Sequence, residues 1–284
     1  MDESTRVAIL SSVSVEYRLV PGSRGCVVFL HGGHMRAGLS LGEAALIAAG
    51  YTVLTPSRPG YGRTSLAAGP GPAEFAATIA VLCSQLGLRR ILAAFGVSAG
   101  GPTAVAMAAQ QPERVRSLVL HSARSWLPFP RGATRIAAQV AFTPRLEAGS
   151  WALTRQMMRR APESGLRIMM GSLSTLPARQ VVKDLTPSER PLLIDAFAGM
   201  RSGAGFYVDV RHPVDPALER QVTQPTLVVA SRADGQVRWD HADELSRNIP
   251  QSTTWASPSL SHLLWFGSGG PATNRRTEDF LVSV

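Results

Sequence analysis

The chain has 284 residues, of which 45% are hydrophobic and 17% charged, with a formal net charge of +9. That length can bury a sizeable core, and that balance excludes a disordered or collagen-like chain. No apolar stretch approaches the roughly eighteen residues of a membrane span, and the opening "MDESTRV" lacks the basic and apolar regions of a signal peptide, so a cytoplasmic protein without membrane anchoring is expected.

In chain order, "VAILSSVSVEYRLVPG" reads as a leading pair of antiparallel strands. The runs "CVVFLHGG" (26–33), "YTVLTPSRPG" (51–60), "RRILAAFGVS" (89–98) and "SLVLHSA" (117–123) are short, apolar and closed by Gly, Pro or small residues. This is the pattern of strands buried on both faces of a parallel sheet. Between them, segments 39–50, 72–87 and 101–115 have helical spacing, and Phe75, Ile79, Leu82 and Leu86 form one apolar stripe. Strand and helix in alternation predict an α/β fold with a mostly parallel, doubly wound sheet.

From 124 to 215 the rhythm gives way to helical patterns such as "SWALTRQMMRR", "GLRIMMGSLS" and "PLLIDAFAGM", the last with Leu193, Ala196, Phe197 and Met200 on one face. The pattern of strands returns at 225–234, followed by a helix at 241–249, a strand at 252–257 and a closing helix near 272–283. The expected organisation is a core formed by residues 1–123 and 216–284, interrupted by a helical cap insertion at 124–215. In this insertion the pairs Met157–Met158 and Met169–Met170 are expected to pack it onto the core, with the lining of an acyl pocket as the alternative.

Every basic residue except Lys183 is arginine, and no basic run interleaved with aromatics or nucleic-acid module is present, so nucleic-acid binding is not expected. Residues 124–220 hold 14 Arg or Lys against 8 Asp or Glu. A solvated helical surface is the plainer reading of that excess, and attraction of anionic substrates is the alternative. Cys26 and Cys83 sit in apolar runs and read as buried thiols, and no spaced Cys/His cluster calls for a metal.

The stretch "FGVSAGGP" (95–102) places Ser98 where a strand meets a helix, with Gly96 and Gly100 two residues to either side. An ordinary glycine-rich turn between strand and helix is one reading; the other is a nucleophile, which on so sharp a turn needs minimal neighbours and finds free N–H groups for a developing oxyanion on the following helix. A serine nucleophile needs a base, and the base needs an orienting acid. Asp234, just beyond a strand end, and His262, 28 residues later, follow Ser98 in the order serine, acid, histidine. Asp209 in "FYVDV" is the reserve acid. His31 ends a strand and reads as a structural residue. His34 reads as a solvent-facing loop residue, with substrate contact as the alternative. His121, His212 and His241 have no matching position, and Arg58 and Arg63 are expected to make structural hydrogen bonds.

Together "HGG" (31–33), "SRPGYGRTS" (57–65), "GVSAGGP" (96–102), "ASRADGQV" (230–237) and "SHLLWF" (261–266) resemble the motifs of the α/β-hydrolase superfamily from about residue 26 to the C-terminus, apart from the insertion. The resemblance implies Ser98 as nucleophile, His262 as general base and acid, Asp234 as its orienting carboxylate, and the backbone N–H groups of Gly33 and Ala99 as the oxyanion hole. It implies no cofactor and no metal. Two points separate this chain from relatives. Ser261 stands where the family usually has Gly before the histidine, and "HGGHM" replaces the "HGGPG" of proline-releasing exopeptidases.

The expected activity is that of a serine hydrolase on a small or medium acyl compound, most simply a carboxylic ester, by way of an acyl-enzyme. An amide, lactone or carbon–carbon bond hydrolase on the same residues stays open, as does a non-hydrolytic small-ligand receptor or cofactor-free oxygenase.

Overall fold

The computed structural model describes residues 4–39, 41–129, 142–143, 145–211 and 215–284. Among the described residues, eight strands form one sheet: β1 (Arg6–Leu10), β2 (Val13–Val20), β3 (Arg24–Leu30), β4 (Tyr51–Pro56), β5 (Ile91–Val97), β6 (Val115–His121), β7 (Thr226–Ser231) and β8 (Ser252–Ser257). Their order is β1-β2-β4-β3-β5-β6-β7-β8. The pairs β1–β2 and β2–β4 are antiparallel and every other pair is parallel. The sheet is therefore mostly parallel, with an antiparallel leading edge, as the sequence predicts.

The central strands carry apolar residues on both faces, so each face is covered by helices. On one side α2 (Pro72–Gln85), α3 (Gly101–Gln110) and α10 (Trp239–Asn248) pack Phe75, Ile79, Leu82, Val105 and Leu245 against Val28, Leu30, Leu118 and Val228. On the other, α1 (Ala44–Ala48) and α11 (Gly270–Ser283) cover Val27, Phe29, Val53, Phe95 and Val119 with Leu46 and Leu281. Cys26 and Cys83 are both buried and unbridged, and burial pushes each thiol up to about 12.

The expected helix at 39–50 contracts to the five residues of α1. Gly42 adopts φ +107°, which a right-handed helix cannot accommodate, and its Cα lies against the Trp265 ring. The helix expected at 101–115 ends at Gln110, two residues before Pro112.

Between β6 and β7 lie α4 (Glu147–Arg160), α5 (Pro162–Ser172), α6 (Ala178–Asp184), α7 (Glu189–Gly199), α8 (Gly205–Arg211) and α9 (Pro216–Arg220). The first four share an apolar centre of Trp151, Met158, Leu166, Met170, Val181, Leu193 and Phe197, which reaches the core loops at Met35, Leu39 and Leu263. Met157 and Met169 pack beside it, so both methionine pairs belong to this apolar centre. Among the described residues, no helix is long and apolar enough to cross a membrane.

Buried histidines make the fold sensitive to acid. His121 accepts the Trp265 indole N–H on Nδ1 at 3.1 Å, which leaves its proton on Nε2 to reach Thr277 Oγ1 at 3.0 Å. Burial pushes the His121 pKa down to about 3. In the unfolded chain it returns to about 6.5, so unfolding takes up a proton between the two values. Stability from this group is complete above pH of about 6.5 and falls toward pH 3, by up to about 1.4 kcal/mol per pH unit. His121→Gln should reduce, but not abolish, the slope of the melting-temperature profile over that interval, because His31 and His34 are shifted in the same way. An unchanged slope would remove His121 as one of its sources.

Candidate active site

The carboxyl ends of parallel β5, β7 and β8 deliver the three candidate residues to one edge of the sheet. Ser98 follows β5 directly and opens a one-turn 3₁₀ helix, Ser98–Gly100, that runs into α3. Its φ is +50°, a left-handed conformation unusual for serine. The two glycines two residues away are sterically required. A Cβ on Gly96 would sit 2.7 Å from the Gly101 Cα, and one on Gly100 would sit 2.2 Å from the Leu30 carbonyl oxygen. The Ser98 carbonyl accepts the Arg124 N–H at 3.0 Å, which fixes the turn from the far side.

Asp234 lies three residues beyond β7 and is 1% exposed. Its Oδ1 accepts the N–H groups of Gln236 and Val237 at 2.8 and 2.9 Å. Its Oδ2 faces His262 Nδ1 at 2.7 Å. A carboxylate oxygen occupied in this way presents an acceptor to Nδ1, which leaves Nε2 of a neutral His262 as the free lone pair. His262 is held from behind, because its backbone N–H donates to the Leu173 carbonyl at 2.8 Å. Ser261, which replaces the usual glycine, is buried and accepts the Leu263 N–H on its hydroxyl at 3.2 Å. The added side chain thus supports the loop that carries His262. Among the described residues the Ser98 hydroxyl makes no hydrogen bond, to His262 or otherwise. Such contacts are commonly long until a substrate is bound.

The segment after β3 supplies the remaining wall. Gly32 stands against Ser98, since a Cβ there would lie 3.3 Å from the Ser98 Cβ. Gly33 is covered by the Phe206 ring, 2.9 Å from where its Cβ would be. His31 is a structural residue, as expected: Nε2 accepts the Arg58 N–H at 3.1 Å, so the Nδ1 proton points to the Gly32 carbonyl at 2.8 Å. Burial, helped by the Arg58 charge, holds its pKa down to about 3. Arg63 likewise binds Glu16, with Nε 2.9 Å from Oε1.

The solvent-facing reading of His34 is overturned. Its ring packs among Phe142, Trp151 and Phe206 with centroids 4.0 to 5.0 Å away, and Nδ1 lies 2.6 Å from Ser202 Oγ. Ser202 Oγ also accepts the Trp151 indole N–H at 2.8 Å, so its own proton is available to His34 Nδ1. Burial holds His34 down to about 3, and it is a neutral imidazole at working pH. The partners come from residues more than a hundred positions away, and nothing in "HGGHM" announces them.

The reserve acid Asp209 is committed elsewhere, bound by Arg58 Nη2 at 2.8 Å and by the Tyr61 hydroxyl at 2.6 Å. His241 is occupied too, its Nδ1 accepting the Ser125 N–H at 3.1 Å. His212 lies outside the described residues.

Comparison with known proteins agrees with this architecture. The family model for the alpha/beta hydrolase fold matches residues 25–149. The chain is 31% identical over 278 residues to the "Uncharacterized hydrolase YcgS" of Bacillus subtilis, covering 95% of each chain. An alpha/beta hydrolase fold protein from Nakamurella multipartita superposes with a TM-score of 0.79 at 25% identity, covering 98% of this chain and 99% of that one. The esterase RhEst1 from Rhodococcus sp. ECU1013 has a TM-score of 0.72 at 19% identity, with 99% of both chains covered. With a parallel sheet, a strained serine at the end of β5 and a relative matched along nearly its whole length, the chain belongs to the α/β-hydrolase superfamily of enzymes.

Proposed function

We propose that this hydrolase cleaves a small or medium acyl compound, most simply a carboxylic ester, through Ser98, His262 and Asp234. The observation that carries the reading is the 2.7 Å contact between His262 Nδ1 and a carboxylate oxygen of Asp234, at the same sheet edge as the strained Ser98. Solved proteins of this fold include an esterase, which makes an ester the natural first substrate to try.

In the reaction, Ser98 Oγ attacks the carbonyl carbon as His262 Nε2 takes its proton. Negative charge moves to the carbonyl oxygen, where the N–H groups of Gly33 and Ala99 receive it. The tetrahedral intermediate collapses, the C–O bond to the alcohol breaks, and the imidazolium returns its proton to the leaving oxygen. A water then attacks the acyl-enzyme with His262 again as base, and the acid is released. Asp234 holds the Nδ1 proton throughout and stabilises the imidazolium. The neutral His34 and the rings around it form part of the wall that meets the substrate.

A series of p-nitrophenyl esters of rising acyl length tests the reading and measures the pocket together. Turnover with a defined length optimum is expected, along with one fluorophosphonate adduct per chain on Ser98. Folded protein that neither turns over any ester nor takes the label at Ser98 would sink it.

A further inference from the structure

A dense polar cluster outside the proposed relay is centred on Asp209, in α8 of the helical segment between β6 and β7. Both of its carboxylate oxygens are used by the core. Arg58 approaches as a fork, and the Tyr61 hydroxyl donates to Oδ2 at 2.6 Å. Burial works against the Arg58 charge, but Asp209 and Tyr61 outweigh it and raise its pKa. The same guanidinium reaches further, with Nε donating to the His31 carbonyl at 3.0 Å and Nη2 to the Gly32 carbonyl at 3.2 Å.

These contacts bear on the donor assigned to Gly33. The Gly32 carbonyl and the Gly33 N–H belong to one peptide unit, and a trans peptide carries them on opposite sides. Arg58 and His31 both hold the carbonyl, so the Gly33 N–H is turned away from Arg58. The Tyr61 hydroxyl, which gives its proton to Asp209, lies 3.9 Å from where a Gly33 Cβ would be. The Gly32–Gly33 peptide unit therefore leads, through Arg58, to one carboxylate. From the same helix, Phe206 covers Gly33 directly.

We infer that Asp209 is a positioning residue for the oxyanion donor, acting through the Arg58 fork on the Gly32 carbonyl, with the Tyr61 hydroxyl holding the carboxylate in place. This rests on the proposed function, because it assigns a role within that reaction. It also gives α8 a catalytic consequence. A shift of this helix would reorient the peptide that must meet the transition state.

The test is Asp209→Asn, which keeps the size and removes the charge. An oxyanion donor acts on the transition state and hardly on bound substrate, so kcat should fall with KM unchanged. A fall of about 10- to 100-fold is expected, less than the 10²–10³ lost on deleting a donor outright. Affinity for a trifluoromethyl ketone matched to the best ester, whose adduct carries the oxyanion, should weaken by the same factor. The acid limb of the kcat/KM profile should stay in place, because the His262–Asp234 pair is untouched. Arg58→Lys keeps a positive charge opposite Asp209 but loses the fork. It should move the same two readouts, and it decides the matter if Asp209→Asn does not fold.

Activity within twofold of wild type in the folded variant would overturn the inference, as would a loss of turnover with undiminished ketone affinity per titrated site. If wild type itself shows no Ser98-dependent turnover, the functional reading fails instead, so the two failures are distinguishable.

Discussion

Alanine at position 98 is expected to lower kcat for the best p-nitrophenyl ester by about 10⁶, the scale on which a serine hydrolase loses its nucleophile. What remains should be the small acceleration that binding and oxyanion donors supply without covalent chemistry. The structure adds a second expectation that separates a nucleophile from a structural serine. Among the described residues the Ser98 hydroxyl holds no partner, so its removal breaks no hydrogen bond. Ser98→Ala should therefore melt close to wild type. The backbone strain stays, because alanine at φ +50° is no more comfortable than serine. Ser98→Gly relieves it and should be more stable by about 1 kcal/mol while equally inactive. Inactivity joined to unchanged or increased stability is the signature of a residue kept for chemistry. Retained turnover in Ser98→Ala, measured on protein free of wild-type carry-over, would end the serine-nucleophile reading.

Much of this arrangement is legible in the sequence because it is local. The buried strands appear as short apolar runs, since a strand covered on both faces has no polar side to alternate with. Gly96 and Gly100 mark the turn because backbone atoms from β3 and the start of α3 pass within contact of their missing side chains. Asp234 and His262 are found by their order and by their places beyond strand ends. Residues whose meaning depends on distant packing are not legible in that way. His34 looks like an ordinary loop histidine until Phe142, Trp151, Ser202 and Phe206 close around it. Asp209 looks like a spare acid because the sequence does not say that Arg58 and Tyr61, about 150 positions earlier, hold both of its oxygens. The short α1 fails for a related reason. Its apolar spacing is helical, but Gly42 must pass beside Trp265 from the far end of the chain.

Asp234→Asn is the second large effect expected, and its logic is a matter of which nitrogen bears the proton. Asp234 Oδ1 is fixed by two backbone N–H donors, and Oδ2 receives His262 Nδ1. An asparagine in this place has one oxygen and one amide NH₂. The two N–H donors select its oxygen for the Oδ1 position, because an NH₂ there would leave three donors facing one another. The NH₂ then faces His262 Nδ1, which can only accept from it, and the imidazole proton moves to Nε2. A histidine protonated on Nε2 cannot take the Ser98 proton. Turnover should fall by about 10⁴ with the fold intact, as in serine proteases carrying the equivalent change. Fluorophosphonate labelling of Ser98 should slow in parallel, since it needs the same base. Asp209→Asn supplies the internal comparison, with its smaller loss and unshifted acid limb. If Asp209→Asn proves the more damaging of the two and Asp234→Asn retains near-normal turnover, then Asp209 carries the acid role and Asp234 only shapes the loop after β7.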